Sequence, residues 1–304
     1  MAAPAKRIGR YELIEPLARG GADSVFLARD PRLDRLVALK VFSIADHVLR
    51  VRQAREVRSA AQLHHPNIET IFDVGEEKGL QFIATEYIRG ESLTEIIHRT
   101  EPLALTRKIQ IIEEVSAGLE YAHKWGMVHR EINPSKIMVT FDGVAKILDF
   151  GTFRTAETQI TRDGQILGVV NYLSPEQLKR YPVDSRSDVF ALGTVLYELI
   201  TGRKAFPGNL STGVLHDIIA DEPKPFDSLV LAQGRPAASL APGLPVELER
   251  IVGSSLKKDP AQRYQDAGIM RRDLSRVRLA LEEDGGRDGE AEPPRSESPG
   301  PKAC

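Results

Sequence analysis

The stretch His129-Arg130-Glu131-Ile132-Asn133-Pro134-Ser135-Lys136-Ile137-Met138 carries most of the information about the fold of this chain. Its chemically important side chains are the carboxylate of Glu131, the amide of Asn133 and the ammonium of Lys136. A carboxylate can accept a proton, whereas an ammonium has donors but no acceptor and cannot ligate a metal ion. The stretch therefore offers a base at Glu131 and no metal ligand at Lys136.

Further landmarks lie on both sides of this stretch. They are Val37-Ala38-Leu39-Lys40, Arg55-Glu56-Val57, Asp149-Phe150-Gly151, Ser174-Pro175-Glu176, Asp188 and Arg263. In this order, and at compatible spacings, they resemble the protein kinase family, in which the opening stretch is the catalytic loop. One motif alone would be weak evidence, but their shared order argues against coincidence. The segment Ile8–Leu13 and the turn His65–Ile68 are most similar to bacterial Ser/Thr kinases of eukaryotic type.

The resemblance implies a two-lobed α+β fold, with a small β-rich lobe containing one main helix and a larger helical lobe. We expect the small lobe at 8–88 and the large lobe at 89–281, after a flexible leader at 1–7. From 282 to 304 the chain is rich in Glu, Asp, Gly, Pro and Ser and has almost no apolar residues. Such a segment buries too little surface to offset its ordering entropy, so we expect disorder there.

Composition and charge limit the classes of partner and the cellular location that we expect for the protein. The 304-residue chain has 41% hydrophobic and 28% charged residues, and its formal net charge of -2 gives no reason to expect a nucleic-acid partner. The single cysteine, Cys304, excludes an internal disulfide and fits a reducing cytoplasm, so we expect a cytoplasmic protein. The longest apolar run, Val189–Ile200, is too short to span a bilayer and predicts a buried helix. Two further helices are predicted near 51–63 and 106–124.

The resemblance also implies a nucleotide site between the lobes. Lys40 would hold the α- and β-phosphates, Glu56 would pair with Lys40, and Asp149 would ligate Mg²⁺. The adenine pocket and hinge would be formed by Val25, Ala38, Thr85, Glu86, Ile88 and Met138. These positions predict that ATP or ADP binds.

The phosphate loop, Leu17–Val25, departs from the family pattern. Gly20 remains, but Ala18 and Asp23 fall where the family has glycines. Alanine restricts positive φ, and Asp23 adds negative charge near a polyanion, so both changes should weaken phosphate contact. The expected nucleotide affinity is therefore low.

The catalytic positions depart further. Glu131 stands at the position of the family's Asp base, and its extra methylene moves the carboxylate by about 1 Å, which can cost roughly a hundredfold in rate. Asn133 replaces a phosphate-facing Lys and removes a cation. Lys136 replaces a metal-binding Asn, so we expect at most one Mg²⁺, held by Asp149. Val169 replaces a Thr whose hydroxyl supports the catalytic residues, and it has no hydroxyl.

These departures favour a pseudokinase, a nucleotide-binding regulator or scaffold for other proteins such as an active kinase or its substrate. The alternative is a weakly active Ser/Thr kinase that uses Glu131 as its base. A second alternative is an interaction module that binds no nucleotide. Phosphoryl transfer distinguishes the first two hypotheses, and nucleotide binding distinguishes the first from the third.

Overall fold

The small lobe is built around an antiparallel sheet. The computed structural model describes residues 7–20, 23–43, 47–101, 103–151, 170–208, 213–226 and 244–287. Its first strands are β1 (Arg7–Ile8), β2 (Tyr11–Gly20), β3 (Asp23–Asp30), β4 (Arg35–Phe42), β5 (Ile71–Glu77) and β6 (Leu80–Glu86). They lie in the order β1-β2-β3-β4-β6-β5. The buried side chains of the central strands and Tyr11, whose ring meets Phe82 edge-on, form the core of this lobe.

One helix, α1 (His47–Ala60), lies between β4 and β5. It begins and ends earlier than the 51–63 helix predicted from sequence, since a turn at Ala61 and Gln62 follows it and leads to the Pro66-Asn67 turn. Val57 and Ala60 are buried, whereas Val51 is exposed. The apolar face of α1 therefore lies near its C-terminal end.

The large lobe combines a small sheet with helices. Its strands are β7 (Gly90–Ser92), β8 (Ile137–Thr140) and β9 (Ala145–Ile147), paired antiparallel in that order. Its helices are α2 (Leu93–His98), α3 (Leu105–Lys124), α4 (Pro175–Leu178), α5 (Ser185–Thr201), α6 (Val214–Ala220), α7 (Leu244–Ser255) and α8 (Ala267–Arg287). The predicted two-lobed α+β kinase fold is confirmed.

Helix α5 forms the centre of the large lobe. It is apolar on all faces and buried from Ser187 to Thr201, as the sequence pattern predicted, and Asp184 caps its first turn by accepting from Arg186 N. Gly202 ends it in the left-handed conformation with φ of 70°, which glycine adopts without a Cβ penalty. No helix in the described residues is long and apolar enough to span a membrane.

Two structural details bear on the sequence predictions for this lobe. Two of the landmarks form a buried ion pair, because both guanidinium Nη atoms of Arg263 lie 2.7 Å from the carboxylate oxygens of Glu176. Helix α8 continues to Arg287, past the boundary at 282 where we expected disorder. Arg278 explains part of this difference, since it pairs with Glu282 one turn along α8 and with Glu113 on α3.

The catalytic stretch is anchored on α5. Asp188 accepts hydrogen bonds from His129 N at 2.8 Å and Arg130 N at 2.7 Å. The His129 ring in turn meets Phe150 edge-on, with centroids 4.7 Å apart. These contacts tie the residues that precede Glu131 to one buried carboxylate, and the His129 ring extends the connection to the residue that follows Asp149.

Candidate functional site

The sheet register places most of the predicted adenine and phosphate residues on one face. Val25 lies opposite Lys40, and Ala38 lies opposite Thr85. Cross-strand partners share a face, and residues two apart on a strand share it too. Val25, Ala38, Lys40 and Thr85 therefore face the same side of the small-lobe sheet. Thr85 is buried, and its hydroxyl donates to Ala38 O at 3.3 Å.

The hinge connects this face to the large lobe. Glu86 ends β6, its N–H donates to Thr70 O, and its carboxylate lies 2.8 Å from Lys146 Nζ. Ile88 follows in the connection to β7, and Met138 lies on β8. Ile88 and Met138 are partly exposed.

A partly buried charge network joins Lys40 and Asp149, the residues predicted to hold the phosphates and the metal ion. Lys40 Nζ lies 2.7 Å from Glu69 Oε2 and 2.5 Å from Asp149 Oδ1. The second Asp149 oxygen, Oδ2, lies 2.5 Å from Lys136 Nζ. The network contains two ammonium groups and two carboxylates, so its formal charges cancel.

The electrostatics of the network follow from this alternation of charge. Burial disfavours the charged form of Lys40, but Asp149 and Glu69 outweigh it and raise the pKa of the Lys40 ammonium. The pKa of Lys136 is raised in the same way, against burial, by Asp149 and Glu131. Burial would raise the pKa of Asp149, but Lys40 and Lys136 hold it far below its usual range. Lys40, Lys136 and Asp149 are therefore charged at neutral pH.

The predicted partner of Lys40 is replaced in this structure. Glu56 does not pair with Lys40; its carboxylate lies 3.9 Å from Arg130 Nη1. Helix α1 itself packs closely, because a Cβ built on Gly151 would lie 2.8 Å from Glu56 O. The helix is therefore near the site while its glutamate points to a different cation.

Glu69 is the site residue that the sequence reasoning missed. It is 7% exposed, and it follows the apolar Ile68 directly after the Pro66-Asn67 turn. The available signal was a carboxylate inside the otherwise apolar and β-branched run from Ile68 to Phe72. A buried carboxylate requires a partner, which here is Lys40.

Asn133 has a structural role. Its Nδ2 donates to Glu131 O at 2.9 Å, and its Oδ1 accepts from Ser135 N and Ser135 Oγ at 2.9 and 2.7 Å. The side chain is buried and caps the 3₁₀ turn Pro134–Lys136. Both ends of the amide make hydrogen bonds inside the loop, so the Asn133 side chain supports the conformation of the loop.

Glu131 keeps a chemically available carboxylate. The residue is partly exposed, and its N–H donates to His129 Nδ1 at 3.2 Å. Within the part of the chain that the structure describes, its side-chain oxygens have no hydrogen-bond or ion-pair partner, although Glu131 acts electrostatically on Lys136. The carboxylate could therefore accept a proton from an incoming hydroxyl group.

The donor set does not form a magnesium site in this arrangement. Mg²⁺ requires oxygen ligands in near-octahedral geometry. The oxygen ligand predicted here is Asp149, and each of its carboxylate oxygens lies against an ammonium group. A single metal ion would have to displace Lys40 or Lys136 from Asp149. The predicted limit of one ion stays a prediction.

The predicted position Val169 lies outside the described residues. In the phosphate loop, the backbone register places Gly20 opposite Asp23. The weakening effects predicted for Ala18 and Asp23 remain predictions.

Comparisons with known proteins agree with the landmarks. The protein kinase domain matches residues 11–274 of the chain. The chain is 38% identical over 287 residues to serine/threonine-protein kinase PknB of Mycolicibacterium smegmatis, covering 91% of this chain and 44% of that protein. It is 37% identical over 275 residues to serine/threonine-protein kinase PrkC of Bacillus subtilis, covering 88% and 41%. The chain thus spans less than half the length of these relatives.

Proposed function

The chain belongs to the protein kinase family, and from that premise we propose that it is a nucleotide-binding pseudokinase domain that regulates or scaffolds other proteins. One observation carries the proposal: Lys136 Nζ lies 2.5 Å from Asp149 Oδ2, on the carboxylate that would ligate the metal. An ammonium group there repels a divalent cation and takes up the oxygen that the cation needs.

The same arrangement supports nucleotide binding. Val25, Ala38 and Thr85 lie on the Lys40 face of the sheet, which gives an adenine ring an apolar wall. Lys40 and Lys136 are charged at neutral pH and lie together on Asp149, so both can contact phosphate oxygens. In this proposal Lys136 supplies positive charge that a metal ion supplies in ordinary kinases.

Efficient phosphoryl transfer lacks several of its usual components here. Position 133 carries an amide and not a cation, and this amide caps its own loop. The base is Glu131, one methylene longer than Asp, and a misplacement of about 1 Å can cost roughly a hundredfold in rate. Since base, cation and metal act together on one transition state, their losses compound.

A weakly active Ser/Thr kinase is the second candidate, and the relatives, which are named serine/threonine-protein kinases, favour it over the first. Its supporting observation in the site is the Glu131 carboxylate, which has no hydrogen-bond or ion-pair partner among the described residues. In this reading Glu131 takes the proton of a Ser or Thr hydroxyl as that oxygen bonds to the γ-phosphorus of ATP. The bond from this phosphorus to the bridging oxygen breaks, and ADP leaves. An overall identity near 38% reflects the shared scaffold more than these few positions.

The test is phosphoryl transfer from radiolabelled ATP to the protein itself and to a generic basic protein substrate, with Mg²⁺ or Mn²⁺. We expect wild-type incorporation to equal that of an Asp149→Asn control. Robust wild-type incorporation that disappears in the control would establish the kinase and overturn the pseudokinase. A parallel calorimetric titration with ATP distinguishes both from the interaction module, because only that hypothesis predicts no heat of binding.

A further inference from the structure

We propose that Glu69 is the positioning residue for Lys40, in the place where the sequence pattern predicted Glu56; this inference rests on the proposed nucleotide binding. Glu69 contacts the Lys40 ammonium through both oxygens, at 2.9 Å from Oε1 and 2.7 Å from Oε2. The Glu69 side chain is 6% exposed, so this pair is shielded from water and worth more than a surface pair.

The backbone of Glu69 is tied to the strand that leads to Asp149. Glu69 N donates to Ile147 O at 2.8 Å, and Ile68 forms a parallel bridge with Ile147. Asn67 accepts from Ile147 N at 2.9 Å and donates through its side chain to Ala145 O at 2.8 Å. The segment around Glu69 is therefore held on β9 of the large lobe.

Glu69 also contacts Asp149 directly. Its Oε2 accepts from Asp149 N at 3.0 Å while holding Lys40. Glu69 and Asp149 are thus joined to each other, and both contact the Lys40 ammonium. The Glu69 segment is held on β9, and Asp149 follows β9 in the chain. The position of Lys40 then depends on the contact between the lobes at β9.

Helix α1 has a different partner for its glutamate. Glu56 lies 3.9 Å from Arg130, and Arg130 N is fixed by Asp188 on α5. A movement of α1 would change the contact between Glu56 and Arg130 without removing the partner of Lys40. Phosphate binding at Lys40 is therefore uncoupled from the position of α1.

The experiment compares ATP with adenosine, which lacks phosphates, by calorimetry in the whole chain. The affinity for ATP divided by the affinity for adenosine isolates the contribution of the phosphates to binding. Glu69→Gln should lower this ratio about tenfold or more, because a charge-assisted contact that places Lys40 is lost. Glu56→Gln should lower it less. Glu77→Gln, at the opposite end of β5 beside the turn to Leu80, should leave it unchanged.

A double-variant comparison separates positioning from general structural damage. In a Lys40→Met background, adding Glu69→Gln should produce no further change in the ratio, because the group that Glu69 positions is already absent. A raised ratio in Glu69→Gln would mean that Glu69 only repels phosphate, and it would overturn the proposal. An equal or larger loss in Glu56→Gln would overturn it too.

A measurement without nucleotide keeps the proposal testable if ATP does not bind. In ¹⁵N-lysine-labelled protein, the Lys40 ammonium resonance should be observable at neutral pH because its protons are held in a shielded ion pair. The signal should persist in Glu56→Gln and disappear in Glu69→Gln. Absence of ATP binding with this signal pattern would refute the proposed function and leave the positioning role standing. The reverse pattern of signals would overturn the positioning role.

Discussion

Lys136 Nζ lies 2.5 Å from Asp149 Oδ2, so a basic side chain contacts the carboxylate that family resemblance assigns to a metal ion. The same carboxylate holds Lys40 through its other oxygen. An ammonium group carries one positive charge where a magnesium ion carries two, and it cannot polarise a phosphate oxygen as a divalent ion does.

ATP or ADP should bind between the lobes, weakly, with Lys40 as a main contact. At a nucleotide concentration of 100 times Kd, the free energy of unfolding should rise by about 2.7 kcal/mol. Thermal-shift measurements with millimolar nucleotide provide the test, and Lys40→Met should reduce the shift. Lys78→Met, at a residue that is almost fully exposed, is the matched control and should behave as wild type. The absence of any shift, with or without divalent ions, would contradict the prediction.

Nucleotide affinity should depend little on Mg²⁺. In wild type, the Kd for ATP measured in EDTA and in millimolar Mg²⁺ should agree within a few-fold, because Lys136 already supplies positive charge at Asp149. Lys136→Asn removes that charge and adds an oxygen ligand, so ATP affinity should become at least tenfold more dependent on Mg²⁺. Two well-ordered metal ions in a nucleotide-bound crystal structure of the wild type would refute this account.

No single reversion should restore phosphoryl transfer. Glu131→Asp alone still lacks a cation at 133, and Asn133→Lys alone places a second cation close to Lys136. The combined variant Glu131→Asp, Asn133→Lys, Lys136→Asn and Val169→Thr rebuilds the constellation and should recover measurable autophosphorylation, since these groups act as a unit. Incorporation of radiolabelled phosphate is the measurement. Full activity from one of the single reversions would contradict the prediction, because it would show that the other changes cost little.

The Glu176–Arg263 pair should contribute strongly to stability. The Arg263 side chain is fully buried, and both of its Nη atoms contact Glu176. Arg263→Ala strands the carboxylate and should lower the free energy of unfolding by roughly 3–5 kcal/mol in urea titrations. Arg276→Ala is the control, because the Arg276 side chain is largely exposed and Asp273 keeps its contacts with Arg250 and Tyr264, and the expected change is about 0.5 kcal/mol or less. Similar losses in both variants would contradict the prediction.

Lys108 should destabilise the fold at neutral pH. It is 4% exposed on α3, and burial lowers its pKa from 10.5 to about 8. Between these values the unfolded chain binds a proton that the folded chain has released, so wild-type stability falls as pH drops from 10.5 to 8 and the cost is complete below 8. Lys108→Met should therefore be more stable at pH 7, on the order of 2 kcal/mol, with a smaller difference at pH 10.

Urea titrations at the two pH values provide that test. Burial also lowers the pKa of Lys258 to about 8, but Lys258 is present in both proteins, so the difference between them isolates Lys108. Lys124→Met, at an exposed position of the same helix, is the control and should show no such pH dependence. A variant that is less stable than wild type at pH 7 would contradict the burial argument.

Local signals made the fold predictable, and they indicated many residues of the candidate site. The apolar run in α5 predicted a buried helix, and the kinase-like landmarks predicted the lobes and the approximate positions of Lys40 and Asp149. The altered residues Glu131, Asn133 and Lys136 could also be identified from the sequence, because their places in the motif are known. The helical extension to Arg287 was missed, since it depends partly on a contact between α8 and Glu113 on α3.

The sequence by itself determined which chemical groups the site contains and in which order the chain supplies them. Only the tertiary structure decided which groups pair. Lys40 and Glu69 are separated by 29 residues, and Glu69 and Asp149 by 80, so no local pattern links them. Residue types alone do not decide whether Lys40 pairs with the carboxylate at 56, 69 or 149. The packing of the 67–69 segment against β9 brings the carboxylates of Glu69 and Asp149 together beside Lys40. Nearby cations there offset the cost of desolvating these two carboxylates.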